Sequence, residues 1–268
     1  MDTAVQLLPL EKLLKRDRAV LLGVIVITTA LAWAYMIHEA RGMTSTGVCK
    51  CMGMQMAGPD TRAWSAAQLF ALFLMWSEMM LAMMLPSAAP MILTFASVNR
   101  KRREQQRPFV SAGIFLSGYL LVWFAFSGVA TITQWALHSA ALLSPMMVST
   151  SSRLGGALLI AAGIFQWTPW KNVCLTHCAN PLSFLLTQWR EGNRGALLMG
   201  IRHGAFCLGC CWLLMLLLFV LGVMNVTWIA ALTIYVLAEK LLGRNVWFAR
   251  AIGAALCAWG TFVMIRDW

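Results

Sequence analysis

Charge is scarce in this sequence, and acidic charge is scarcest. Only 12% of the 268 residues are Asp, Glu, Lys or Arg, and only ten of these are acidic. That is about half the charged share of an ordinary soluble domain. Histidine is also rare, with four in the chain and no convincing pair placed across a membrane centre, which argues against a haem protein. There is no HExxH segment for the common zinc hydrolase arrangement. There is no Walker motif or sizeable soluble domain either, so ATP-driven pumping by this chain alone is not expected.

Apolar residues fill the space that charge leaves. The chain is 60% hydrophobic, with a mean hydropathy of +0.72. A transmembrane helix needs roughly 20 such residues. Runs at about 19–37, 66–98, 109–135, 154–170, 196–221, 226–240 and 246–265 predict an all-α polytopic transmembrane helix bundle of about seven spans, forming one integral membrane domain over 1–268. The second run contains Pro86 and Pro90 and is expected to tilt or break there, because proline removes a backbone donor. The first run resembles a signal peptide. It lacks a convincing small-residue cleavage site and is read as a retained helix.

Basic residues alternate with these runs. Four Lys or Arg precede the first, five lie in 100–107, four between Lys171 and Arg202, and three between Lys240 and Arg250, so 16 of 21 fall on one side. The positive-inside rule then places the N-terminus in the cytoplasm and the C-terminus outside. The net charge of +11 is explained by topology, and nucleic acid has no place in the account. The lipid bilayer is the partner that this composition demands.

Sulfur is the second abundance. Residues 38–65 form an extracytoplasmic Cys/Met-rich loop in which Cys49 and Cys51 are followed by Met52, Met54 and Met56. Soft metal capture, pairing with other cysteines on an oxidising face and a flexible Met-rich loop are all compatible readings. Met75, Met79 and Met83 recur every four residues, as do Met80 and Met84. Such stripes fill irregular core gaps or offer thioethers to a metal. Glu78 lies among them. A carboxylate in an apolar span is costly and faces a partner, a cavity or a ligand.

The segment 171–211 forms a Cys/His-rich core. Cys174 and Cys178 are one helical turn apart with His177 adjacent, a set suited to Cu(I) or Zn(II). Thiol exchange and reduced structural cysteines are the alternatives. Further on, Cys207 is spaced three and four residues from Cys210 and Cys211, and His203 lies one turn earlier on the Cys207 face. Cys210 and Cys211 point in different directions on an ideal helix, so both cannot be assumed to be ligands. Glu239 is placed to pair with Arg202 or Lys171, or to support a metal-site histidine.

Several of these pieces act as motifs. WSEMMLAMMLP begins at Trp76, KNVCLTHCANP at Lys171 and GIRHGAFCLGCCW at Gly200, followed by GVMN at Gly222 and the Glu239–Lys240 pair. Together they resemble DUF2182, a family of bacterial predicted metal-binding integral membrane proteins, over roughly 65–245. The resemblance implies a multi-pass fold, metal binding and a location in the bacterial inner membrane. It supplies no tested reaction and no ligand list.

The leading expectation is copper handling. Residues 49–56 would capture Cu(I), Met79, Met83 and Met84 would relay it, and Cys174, His177, Cys178, Cys207 and Cys211 would hold it, with zinc as the other candidate metal. Transport, storage and delivery to a metal chaperone or membrane metalloenzyme all fit. A membrane thiol oxidoreductase or metalloenzyme and a structural or assembly subunit, including a homo-oligomer, are the competing classes.

Overall fold

In a lipid environment the backbone must satisfy its own hydrogen bonds, so apolar runs of this length become helices. The computed structural model describes residues 7–46, 48–49, 54–55, 65–106, 109–140, 151–223, 225–241 and 246–266, with side chains from residue 19 onward except at 43–49, 54–55 and 246. The chain forms the expected all-α, multi-span bundle: α1 (Leu7–Thr46), α2 (Ala66–Glu104), α3 (Ala112–Ser139), α4 (Ser152–Phe165), α5 (Pro169–Ala179), α6 (Pro181–Gln188), α7 (Gly192–Leu216), α8 (Leu218–Leu221), α9 (Val226–Leu241) and α10 (Val246–Ile265). Between α1 and α2, β1 (Val48–Cys49) pairs antiparallel with β2 (Met54–Gln55).

Among the described residues, five helices are long and apolar enough to cross a membrane: 19–42 of α1, then α2, α3, the α7–α8 stretch Gly192–Leu221, and Trp247–Ile265 of α10. α4 and α9, at 14 and 16 residues, are shorter.

Caps fix several helix starts. Ser65 and Gln68 form a capping box at the head of α2, and Ser111, Ser151 and Thr168 cap α3, α4 and α5. α2 does not break at its prolines. It is one 39-residue helix that continues past Val98 into the basic run. Pro86 has no N–H to offer the carbonyl of Ala82, and Trp33 of α1 fills the gap, its Nε1 donating to that oxygen at 3.2 Å. This bond also fixes the register of α1 on α2.

α7 is the central post. It meets α3 so closely that a Cβ on Gly200 would lie 2.0 Å from the Phe115 carbonyl oxygen. On another side, α4, α5 and α6 follow one another antiparallel to it. Phe165 meets Trp212, His177 meets Phe206, and Phe184 meets His203. The segment containing Cys174 and Cys178 therefore packs along the helix, beyond the fourth run expected to end at Trp170. The interior is filled by large aromatic side chains. Trp76, Phe95, Phe115, Tyr119 and Trp123 are all fully buried.

Two lysines that stand at the edges of apolar runs in the sequence are buried. Lys171 is 1% exposed and pairs with Glu239 at the α4–α5 break. Gln166 accepts from Lys171, and the Tyr235 hydroxyl donates to Glu239 at 3.0 Å. Lys240 points into the bundle. Proximity in sequence to a basic loop does not fix a side chain's direction on a helix. The excess of basic charge in the loops of that side is correspondingly smaller than the sequence count.

Candidate metal centre

The midpoint of the Gly192–Leu221 helix carries the cysteines. Cys207 is fully buried, and its neighbours arrive from three other helices. From α9, Lys240 Nζ lies 3.0 Å from Cys207 Sγ and donates to Ser87 Oγ of α2 at 2.7 Å. From α3, the Tyr119 hydroxyl lies 3.3 Å from the same sulfur and donates to the Met84 carbonyl at 3.1 Å. From α5, the buried Cys178 comes close enough to Cys207 and Cys210 for the thiols to interact.

Cys210 and Cys211 belong to the same cluster. Each thiol donates to the Cys207 carbonyl, at 3.0 and 2.9 Å. The divergence expected of adjacent residues is reduced because each side chain turns back along the helix. Four sulfurs, from Cys178, Cys207, Cys210 and Cys211, therefore share one buried enclosure. All six described cysteines, these four with Cys174 and Cys257, are free.

His203 lies one turn from Cys207, buried and stacked near Phe115 and Tyr119. Its Nδ1 has no hydrogen-bond partner among the described residues. A buried polar atom left unpaired is costly, so this nitrogen is an available donor.

Other sequence candidates fall elsewhere. Cys174 lies over Gly209, where an added Cβ would meet its sulfur at 2.9 Å. His177 stacks on Phe206 at 4.6 Å, with Nδ1 bonded to the Val173 carbonyl of its own helix at 2.9 Å. The one-turn spacing of Cys174, His177 and Cys178 thus sends only Cys178 to the cluster. Glu239 is engaged with Lys171 and Tyr235. Met79, Met83 and Met84 are buried along α2. Glu78 and Met79 line a cavity between α1 and α2. Cys51 and the side chain of Cys49 lie outside the described residues.

Among the described residues, no group of three or more His, Cys, Asp and Glu side chains is arranged to hold a metal ion as it stands. Cys210 and Cys211 are turned onto a carbonyl in this arrangement. The donors themselves suit a soft ion, since closely placed buried thiols match soft-metal chemistry.

Sequence reasoning missed Lys240, Ser87 and Tyr119. Lys240 carried a signal, being a cation at the end of an apolar helix. Ser87 and Tyr119 carried none, because their roles come from contacts between distant parts of the chain.

No curated protein and no solved structure matches the chain. A family model does match, over residues 73–263, and its description is PpoB2, copper chaperone. The match covers the Met-rich part of α2, both cysteine segments and the Glu239–Lys240 pair, and it continues through most of α10. Most of the chain is included, α1 lies outside, and the chain belongs to the PpoB2 copper chaperone family.

Proposed function

We propose that this protein holds Cu(I) as cargo within the membrane, between the thiolates of Cys178 and Cys207, and releases it to an acceptor protein. The observation that carries the reading is the Cys178–Cys207–Cys210 cluster with Lys240 against it. Two thiolates bound to Cu(I) carry one net negative charge, which is expensive to bury alone. The Lys240 ammonium balances it. A dithiolate–Zn(II) centre would be neutral already and would still want further ligands. Cys210, Cys211 and His203 stand next to the pair and offer places to which the ion can shift during release.

The basic ends support an orientation. Arg102 of α2 pairs with Glu191, so the basic end of α2 meets the start of α7. With that end cytoplasmic, and with α4 and α9 counted as crossings, the chain crosses seven times and its C-terminus lies outside.

The test is anaerobic purification in mild detergent, Cu(I) competition titration, and measurement of bound copper and free thiols. Cys178→Ser and Cys207→Ser are expected to lose tightly held copper, whereas Cys174→Ser and His177→Ala keep it. Full stoichiometry in the Cys178→Ser/Cys207→Ser double variant would overturn the assignment.

A further inference from the structure

A cavity of about 280 Å³ lies between α1 and α2, away from the thiols. α1 contributes Met36 and Glu39 to its wall, and α2 contributes Met75, Glu78 and Met79. The spacings are those of single helix faces, three residues apart on α1 and three and four apart on α2. Three methionines and two glutamates therefore line one space. The two carboxylates act on each other as like charges. Keeping both charged beside an apolar helix pair is unfavourable unless a cation joins them or one of them takes up a proton.

We propose that this cavity is a second copper site, built from the thioethers of Met36, Met75 and Met79 with the carboxylates of Glu39 and Glu78. The proposal rests on the copper reading above and adds to it a site that the thiol cluster does not need in order to exist. Thioethers select a soft ion, and the carboxylates supply the negative charge that thioethers lack. Neutral thioethers bind more weakly than thiolates, so this site holds copper less tightly than the cluster does. Its place in the bundle suits an outlying position. Glu78 and Ser87 are nine residues apart on one continuous helix, about 13 Å along its axis. Met80, Met83 and Met84 are buried on the stretch between them. The α1 half of the cavity lies outside the region that the family model matches.

The test uses the full chain in lipid nanodiscs under anaerobic conditions, titrated with Cu(I) against a competing chelator. Copper per chain is measured together with X-ray absorption at the copper edge. Glu39→Gln/Glu78→Gln and Met36→Leu/Met75→Leu/Met79→Leu preserve shape and are checked for monodispersity. Each is expected to lose about one copper ion per chain, the weaker, and to keep the thiolate-bound ion. Cys178→Ser/Cys207→Ser is expected to keep a copper ion with an oxygen and thioether environment. If both cavity variants bind copper with the wild-type number and affinity, the cavity is not a copper site, whatever the thiol variant does. If the cavity variants lose copper while the thiol variant binds as wild type, the cavity site stands and the thiol assignment falls.

Discussion

Lys240 meets Cys207 through a 3.0 Å contact between Nζ and Sγ, and the same nitrogen reaches Ser87 at 2.7 Å. One amine thus joins α9, α7 and α2 at the level of the thiol cluster. In the copper-loaded state proposed above, it would be the positive charge set against the dithiolate. Lys240→Met removes that charge but keeps an apolar stem of similar length. The expected result is a Cu(I) affinity weakened by about tenfold to a hundredfold, or about 1.4–2.8 kcal/mol. Competition titration against a Cu(I) chelator reads this directly. An unchanged affinity would show that the charge of the loaded site is balanced elsewhere.

A second expectation concerns Lys171 and Glu239, a buried pair at the break between α4 and α5. Removing one partner strands the other charge in a low-dielectric interior. Lys171→Met alone or Glu239→Leu alone should destabilise the bundle by about 3–5 kcal/mol, and the double variant by much less. Equilibrium unfolding in detergent for the four members of the cycle is the measurement. Simple additivity would mean that the pair is not coupled.

A third expectation follows from the Trp33 bond to the Ala82 carbonyl, the oxygen that Pro86 leaves without a helical donor. Trp33→Phe should cost about 1–3 kcal/mol by leaving that buried acceptor unsatisfied. In a Pro86→Ala background the helix supplies its own donor, and the hydrogen-bond part of the cost should shrink. Thermal unfolding of the two single variants and the double variant decides the point. Equal losses in both backgrounds would reduce the role of Trp33 to side-chain burial.

Much of the fold was legible because lipid imposes it. Long apolar runs such as 109–135 have few alternatives to a spanning helix, and α3 follows that run closely. The thiol centre was legible only in its ingredients. Cys207, Cys210 and Cys211 were visible as a group because they share one helix. That Cys178 joins them while Cys174 and His177 do not depends on how α5 is rolled against α7, which no local spacing states. The burial of Lys171 and Lys240 was not legible for a related reason, although Lys171 was among the partners expected for Glu239. Both lysines stand at the edges of apolar runs, where sequence position suggests loop and helix rotation decides between solvent and interior. Glu39 and Met36 could not be connected with Glu78 without the α1–α2 register, which rests on a bond between residues 49 positions apart.

The buried aromatic side chains that fill the bundle have a bearing on bioenergetics. Trp76, Phe95, Phe115, Tyr119 and Trp123 occupy the space in which a pore would need to keep a file of water. A bundle plugged in this way is expected to conduct neither protons nor hydrated sodium by a wet route past these rings. Copper held by sulfur has no need of such a route, because a naked ion can step from one soft donor to the next. Proteoliposomes holding the purified protein are therefore expected to keep an imposed pH gradient as well as empty vesicles do.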